Sequence, residues 1–547
     1  MKHDDLSVLI EALRHPRAYP HEVDGVEHIE THISHVLLAG EYAYKFKKPL
    51  DLGFLDFSTL ERRRFCCAEE LRLNRRLAPD LYLDVVTVNG TLDAPRIDGT
   101  GPILEYGVRM RRFPQSALLD RRPVTAELMT RLAEHIADFH AGLPPAGPSS
   151  GFGTPARVLE PMLENLTQIR ARLDDPEAQA RLESLETWIR ARFETLTPVI
   201  EQRRAEGFVR ECHGDMHRGN IALVDDRILI FDAIEFNPNL RWIDTASEIA
   251  FFVMDLEQEG ERSAAHRFLN RYLERSGDYG ALAVLDFYKV YRALVRAKVL
   301  AIRWDQSDLP TAEAQSLRDD FARYLDLALS YTRTRRLHLL IACGLPGSGK
   351  SRLSCRLREA LPLIHLRSDI ERKRLFGLGE LARTASSIDR GIYFPRATDW
   401  TYERLHRLAD GILASGYDVL VDATFLARRR REHFAALAHR HRAGFAILAL
   451  EAPLEVLRER VARRLAEGAD VSEADLSVLE RQYASRQPLS DLEHSRALVI
   501  DTSRDNAFPE ILDHLRALLA AEPAPERNPN VDVPPAESSR DRQRGSA

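Results

Sequence analysis

Cysteine is scarce. Five cysteines, Cys66, Cys67, Cys212, Cys343 and Cys355, are spread over 547 residues, with no CxxC pair and no zinc-type spacing. A disulfide scaffold is excluded, and a reducing compartment is the simplest setting. Long apolar runs are missing as well: none approaches the ~18 residues of a membrane span. The opening MKHDDLSVLIEALRHP carries acids where an export signal has a basic region and then an apolar one. A cytoplasmic protein with no membrane partner is therefore expected. Basic excess is absent too. The 77 Lys and Arg face 83 Asp and Glu, a net charge of −6. That balance argues against a general nucleic-acid coat, although a local basic groove stays compatible with it. What is there is ordinary globular material, 44% hydrophobic and 29% charged. At roughly 150 residues per domain the length suggests about three or four structural units.

Composition marks the organisation. From Ala521 the chain holds five prolines and no Leu, Ile, Phe, Tyr or Trp, so residues 521–547 are expected to be a disordered tail. A second boundary falls near Arg335, between a helical period ending at Tyr331 and the apolar run Leu337–Cys343. This divides the chain into 1–334 and 335–520, with no Gly/Ser or Pro linker between them. The first part opens with strand-like text at Ile33–Leu38 and Tyr42–Phe46. A charged helix follows over Thr59–Leu77, then strands at Leu81–Val88 and Leu104–Arg109. Beyond Thr125 it is mainly helical. The pattern predicts an α+β, two-lobed domain, with a strand-rich lobe over about 25–112 and a helical lobe over about 113–334.

In the second part, Gly344-Leu345-Pro346-Gly347-Ser348-Gly349-Lys350-Ser351 is GxxxxGKS, following a strand and opening a helix. Glycines let the backbone turn its N–H groups toward phosphate, and the helix N-terminus favours negative charge. Lys350 can reach the terminal phosphates, and the Ser351 hydroxyl can ligate Mg²⁺. Further strands end at Asp369, Asp422, Glu451 and Asp501, where parallel-sheet ligands gather. Asp369 can serve as general base toward an acceptor hydroxyl. Asp422 can order Mg²⁺ or its waters, or hold substrate; either aspartate can instead be a helix cap. Arg460 and Arg464 share a helix face and can meet a nucleotide, or simply face solvent. The run Arg428–Arg431 can bind a phosphorylated or nucleic-acid acceptor, or form a solvated helix start.

On GLPGSGKS, RSDIERKRLFG, VDATFLARRRRE and LRERVARR, the stretch from Leu337 to about Leu518 resembles P-loop kinases related to polynucleotide, gluconate and adenylate kinases, with an AAA-type ATP-binding domain. The resemblance implies an α/β doubly wound parallel sheet with a lid. It implies Asp369 as hydroxyl-activating base, Arg460 and Arg464 as lid contacts, and Arg372 or Lys373 as acceptor contacts.

The other dense signal is Cys212-His213-Gly214-Asp215-Met216-His217-Arg218-Gly219-Asn220, followed by a strand, Arg227–Phe231, that ends in Asp232. The Asp-to-Asn spacing is that of a kinase catalytic loop. Asp215 can orient or deprotonate an acceptor hydroxyl, and Asn220 with Asp232 can hold Mg²⁺ on ATP phosphates. On HGDMHRGN and IFDAIEFN, most of residues 28–330 resemble the aminoglycoside phosphotransferase-like, choline-kinase-like branch of the protein-kinase fold. The resemblance implies Lys45 as the ATP-binding lysine. Lys47 faces the same way, but Lys45 lies deeper in the strand. Glu69 or Glu70 would be its partner, and Leu104–Met110 the hinge that meets adenine. No GxGxxG precedes Lys45; His32–Glu41 stands there. His28, His32 and His35 look like a metal cluster but lack a carboxylate or cysteine at ligand spacing. The acidic segment from Glu235 through Asp244 to Asp255 can receive a cationic acceptor or be ordinary surface and core.

The expectation is a bifunctional ATP- and Mg²⁺-dependent phosphotransferase acting on small-molecule hydroxyl acceptors. Two alternatives stand beside it. One is a kinase-like binding module coupled to a P-loop switch; the other is a nucleic-acid 5′-hydroxyl kinase in the second half, with nucleic acid not favoured.

Overall fold

The computed structural model describes residues 3–53, 55–304, 311–380, 382, 394–467, 475–504 and 508–521. By contact the chain forms two compact units. One is Met1–Thr334 with Cys355–Ile364; the other is Arg335–Ser354 with residues from His365 onward.

The first unit opens with α1 (His3–Leu13) and six strands: β1 (Val26–Glu30), β2 (Ser34–Ala39), β3 (Tyr42–Lys47), β4 (Tyr82–Thr91), β5 (Ala94–Ile97) and β6 (Ile103–Arg111). They form one antiparallel sheet in the order β1-β2-β3-β6-β4-β5. Alternation sends Tyr44 and Phe46 of β3 into a core with Leu6, Leu9 and Leu13 of α1, and so turns Lys45 and Lys47 to the other face. On that face lies α2 (Leu60–Asn74), capped by the Thr59 hydroxyl accepting from the Arg62 amide. Its buried Arg63, Cys67, Glu70 and Asn74 recur at helical spacing.

The expected hinge, Leu104–Met110, lies inside β6. Strands β3 and β4 flank β6 on both sides, so its backbone groups are engaged in the sheet. The chain leaves the sheet only after Arg111, so the connection between lobes is made by Arg112-Phe113-Pro114.

The second lobe packs α3 (Ala126–Gly142), α4 (Pro155–Arg170) and α5 (Pro176–Ala205) with α7 (Thr245–Gln258), α8 (Arg262–Ser276), α9 (Leu282–Trp304) and α10 (Thr311–Tyr331); the short α6 is Pro238–Arg241. Two ribbons interrupt the helices. β7 (Val209–Glu211) pairs with β10 (Trp242–Asp244), and β8 (Ile221–Val224) with β9 (Arg227–Ile230). The loop from β7 to β8 carries the HGDMHRGN motif, so both ends of that motif are pinned by sheet pairing.

The second unit contains β11 (His338–Cys343), α11 (Lys350–Ala360, shared with the first unit from Cys355), β12 (Leu363–Arg367), α12 (Ser368–Leu375), α13 (Pro395–Ala414), β13 (Asp418–Asp422), α14 (Arg428–Arg440), β14 (Gly444–Glu451), α15 (Leu454–Glu467), α16 (Leu476–Ser485), α17 (Asp491–His494), β15 (Ala497–Asp501) and α18 (Phe508–Ala521). The strand order is β12-β13-β11-β14-β15, and β11 runs parallel to β13 and β14, as does β14 to β15. The central strand β11 has later strands on both sides, so the chain after Cys343 enters the crevice where such sheets bind ligands. Ala521 ends α18, and the expected tail beyond it lies outside the described residues. Among the described residues no helix is long and apolar enough to cross a membrane. All five cysteines are free.

Candidate active sites

In the first unit Lys45 Nζ lies 3.0 Å from Glu70 and also bonds Asp232. Lys47 Nζ lies 2.6 Å from Glu70 and also bonds Glu235. Of the two lysines it is Lys47 that is the more buried, 1% exposed against 9%, which reverses the depth expected from their places in the strand. Lys45 is nonetheless the one that reaches Asp232. Glu69, offered with Glu70 as partner, points elsewhere and pairs with Arg72 and Arg241 at 2.8 and 3.3 Å. Burial pushes the Glu70 carboxyl up, but Lys45 and Lys47 outweigh it and bring it down to about 2. Two lysines thus face three carboxylates, Glu70, Asp232 and Glu235. Asp232, the exposed member of the three, is left with capacity for a cation. Its backbone is in the left-handed region (φ 66°), fixed by its amide donating to the Tyr82 hydroxyl at 3.1 Å and by the next amide donating to Asn74 at 2.9 Å.

The loop carrying Asp215 is held from behind. The amides of His213 and Gly214 donate to the two oxygens of Glu248 at 2.6 and 2.9 Å. Arg292 donates to the Gly214 carbonyl at 2.9 Å. Asp255 accepts from the Arg218 amide at 2.9 Å. Gly214 has φ 91°, and a Cβ there would stand 2.8 Å from the Leu240 carbonyl. His213 Nε2 meets the Phe231 carbonyl at 2.8 Å, tying the loop to the segment that carries Asp232. Asn220 Nδ2 donates to Asp215 Oδ2 at 3.1 Å and to its carbonyl at 3.0 Å, which leaves the Asn220 amide oxygen available. Asp215 is held ionised. Burial opposes this, but His217, whose Nε2 stands 3.6 Å from Asp215 Oδ2, together with Arg296 and His213, pushes its carboxyl well below the usual range. Asp232 and Asn220 offer only oxygen, the donor set of a hard cation such as Mg²⁺.

Sequence reasoning missed Glu248 and Arg292. The signal was present: Glu248 is the lone acid in an apolar stretch of α7, Ala246–Met254, and a buried charge without a sequence neighbour must be paired across the fold. The acidic segment is also resolved. Glu235 is taken by Lys47, Asp244 by Arg203, and Asp255 by Arg218. These acids are spent inside the fold and offer nothing to a cationic acceptor. The expectation of no carboxylate near the histidines is corrected as well. Glu30 lies two residues after His28 on β1 and opposite His35 of β2, but it pairs with Lys48, and His28 Nε2 meets His35 Nδ1 at 3.0 Å.

In the second unit the P-loop backbone demands its glycines. Gly344 (φ 155°) and Gly347 (φ 80°) would place a Cβ 2.6 Å from the Leu450 carbonyl and 3.1 Å from the Leu457 carbonyl; Gly349 has φ 85°. Ser348 is 1% exposed and its hydroxyl has no hydrogen-bond partner among the described residues. Lys350 Nζ donates to the Gly344 and Leu345 carbonyls, both at 2.9 Å, closing the loop around itself. Burial lowers the Lys350 ammonium, against Asp422 and Asp369. Asp422, at the end of β13, is buried, yet His365, Lys350 and the Ser351 hydroxyl bring its carboxyl down. Ser351 and Asp422 therefore meet, as a shared Mg²⁺ site needs. Asp369 sits in the first turn of α12, whose cap residue is Arg367, so it is not the capping side chain.

Arg460 donates to the Gly347 carbonyl at 3.3 Å and to Thr502 Oγ1 at 3.0 Å, which places it over the P-loop; Arg464 bears electrostatically on Lys350. The acceptor contacts offered for Arg372 and Lys373 are not supported. Both are buried, with Lys373 donating to the Glu380 carbonyl at 2.8 Å and Arg372 to Thr398 at 3.2 Å. Within the arginine run, Arg431 is buried on Glu493 and Arg430 pairs with Asp399, leaving Arg428 and Arg429 exposed.

Residues 67–285 match the family described as "Phosphotransferase enzyme family", and residues 339–489 match "AAA domain". A protein of Mycobacterium tuberculosis strain H37Rv, uncharacterized protein Rv2004c, is 30% identical over 460 residues, 83% of this chain and 89% of that protein. A choline/ethanolamine kinase family protein from Mesorhizobium loti is 14% identical, covering 59% of this chain and 98% of that one, with a TM-score of 0.34. A gluconokinase from Sinorhizobium meliloti is 22% identical, covering 34% of this chain and 92% of that one, with a TM-score of 0.22. The chain belongs to the same family as the mycobacterial protein, and joins a phosphotransferase-family kinase domain to an AAA-type P-loop domain.

Proposed function

We propose that the protein is a bifunctional, cytoplasmic, ATP-dependent phosphotransferase, each unit moving the γ-phosphate of MgATP to a hydroxyl of its own small-molecule acceptor. The observation that carries this reading is the convergence of Lys45, Glu70, Asp232, Asn220 and Asp215 in the first unit, with none of the set lost. A degraded, purely binding module would not need Asp215 kept ionised beside Asn220.

The roles follow from the geometry. Lys45, oriented by Glu70, neutralises ATP phosphate charge. Asn220 and Asp232 would hold Mg²⁺, which supplies charge neutralisation on the phosphates when bound. Asp215 accepts a hydrogen bond from the acceptor hydroxyl and orients its oxygen. A carboxylate of such low basicity takes the proton only as the new P–O bond forms. In the second unit Gly344, Gly347, Ser348 and Gly349 cradle phosphate, Lys350 turns to it, and Ser351 with Asp422 would hold Mg²⁺. Asp369 meets the acceptor hydroxyl, and Arg460 with Arg464 covers the transferred group. Nucleic acid is not the favoured acceptor, because Arg430 and Arg431 are engaged within the fold.

The test is ADP formation from γ-labelled ATP across a metabolite library, for wild type, Asp215→Ala and Lys350→Ala. Each variant is expected to lose one set of labelled products and keep the other. Loss of both sets from either folded variant would sink the two-site reading.

A further inference from the structure

We propose that the acceptor of the kinase-like unit is an anionic hydroxy compound, carrying a carboxylate or phosphate that Arg296 holds beside Asp215. This rests on the phosphotransfer reading of that unit and names its substrate class.

The argument begins with α9. Arg292 on this helix is anchored to the catalytic loop, donating to the Gly214 carbonyl at 2.9 Å and to the Ser247 carbonyl at 3.2 Å. Arg296 stands four residues on, one turn further along the same face. That turn carries it within electrostatic reach of Asp215. Unlike Arg292, it makes no hydrogen bond to the catalytic loop among the described residues. Among the described residues its one hydrogen bond is from Nε to the Tyr324 hydroxyl at 3.4 Å, and its guanidinium lies 6.0 Å from that ring.

No carboxylate among the described residues lies within ion-pair distance of Arg296. Asp255, which could have come closer, is taken by the Arg218 amide and guanidinium at 2.9 and 3.2 Å. Neighbouring cations are all committed: Arg292 to backbone, Arg218 to Asp255, and Lys289 to Asp286 and Glu257 at 3.0 and 3.3 Å. A half-buried guanidinium with most of its five donors unspent, next to the residue that receives the acceptor hydroxyl, matches a carboxylate or phosphate bound through two oxygens. Glu235, Asp244 and Asp255 are spent inside the fold, so an ammonium acceptor could draw on none of them.

Isothermal titration of the full chain with Mg²⁺ and a non-hydrolysable ATP analogue tests this, using small hydroxyl probes that differ in charge. Glycerate and glycerol 3-phosphate carry the two anions, glycerol is neutral, and ethanolamine is cationic. At least one anionic probe is expected to bind roughly 10-fold or more tightly than glycerol and ethanolamine, as charge-assisted bonds allow. That preference is expected to vanish in Arg296→Met and to be partly kept in Arg296→Lys. Which anion wins separates a carboxylate from a phosphate acceptor. Equal binding of charged and neutral probes, or an anion preference that survives Arg296→Met, overturns the proposal. So does an Arg296→Met variant in which only the acidic limb of a pH–rate profile moves while acceptor KM stays fixed, because Arg296 would then act on Asp215 alone. Anion binding that depends on Arg296 without Asp215-dependent turnover would uphold the anion site and sink the phosphotransfer reading instead.

Discussion

Lys45 and Lys47 are two residues apart, share Glu70, and should fail differently. Lys45→Met removes the lysine we propose meets ATP but leaves Glu70 paired with Lys47. We expect ATP-dependent turnover in the first unit to fall by two orders of magnitude or more, roughly what transition-state charge neutralisation is worth, with little change in melting temperature. Lys47→Met strips the only lysine from Glu235 and one of two from Glu70, both buried. Breaking such a pair costs about 3–5 kcal/mol, so this variant should show a clear loss of stability in chemical denaturation. A melt that shifts equally for both would contradict the assignment. Asp215 adds a pH prediction. Its folded pKa lies below its unfolded value, so its ionisation favours the folded state above about pH 4 and that contribution fades as pH falls further. The kcat/KM profile should therefore show no Asp215 limb above about pH 4. His217→Gln, removing the side chain that does most to lower the Asp215 carboxyl, should bring such a limb upward.

Among elements, the β7–β8 loop depends on α7 and α9 rather than on its own sequence. Glu248→Ala would leave the His213 and Gly214 amides without acceptors. The cost is about 2–3 kcal/mol, read by denaturant titration, with kcat in the first unit falling further than ATP affinity. An unchanged kcat would show that the loop holds itself. This dependence marks where sequence reading stops. The motif residues Asp215, Asn220, Asp232, Lys350 and Ser351 are legible because their spacing is set by one loop or one strand–helix turn. Glu248 and Arg292 act 34 and 78 residues away from Gly214, across packed helices, and only the fold brings them together. Likewise β1 and β5 were not read. The exposed pattern of β1 has no clean apolar alternation, and β5 is four residues long, so pairing rather than hydrophobicity makes them strands. The choice between Glu69 and Glu70 needed the same information, because adjacent helix positions diverge by about 100° and only packing tells which one faces β3.

For the whole molecule, the net charge of −6 averages two clefts whose lysines and arginines are set among paired acids. Asp215→Ala combined with Lys350→Ala should remove all ATP turnover, while each alone removes one product set; additivity of that kind is expected for sites that share no partner. The clamp through Lys47 has a consequence for control. In many kinases the helix bearing the lysine's glutamate swings away to switch the enzyme off. Here Glu70 on α2 is tied through Lys47 to Glu235 in the other lobe, and a swing would strand a lysine and two acids in the interior. The helix position is therefore not an on–off coordinate. The kinase-like unit is built to stay assembled, and on the proposed function its output should follow the supply of ATP and acceptor rather than a conformational switch.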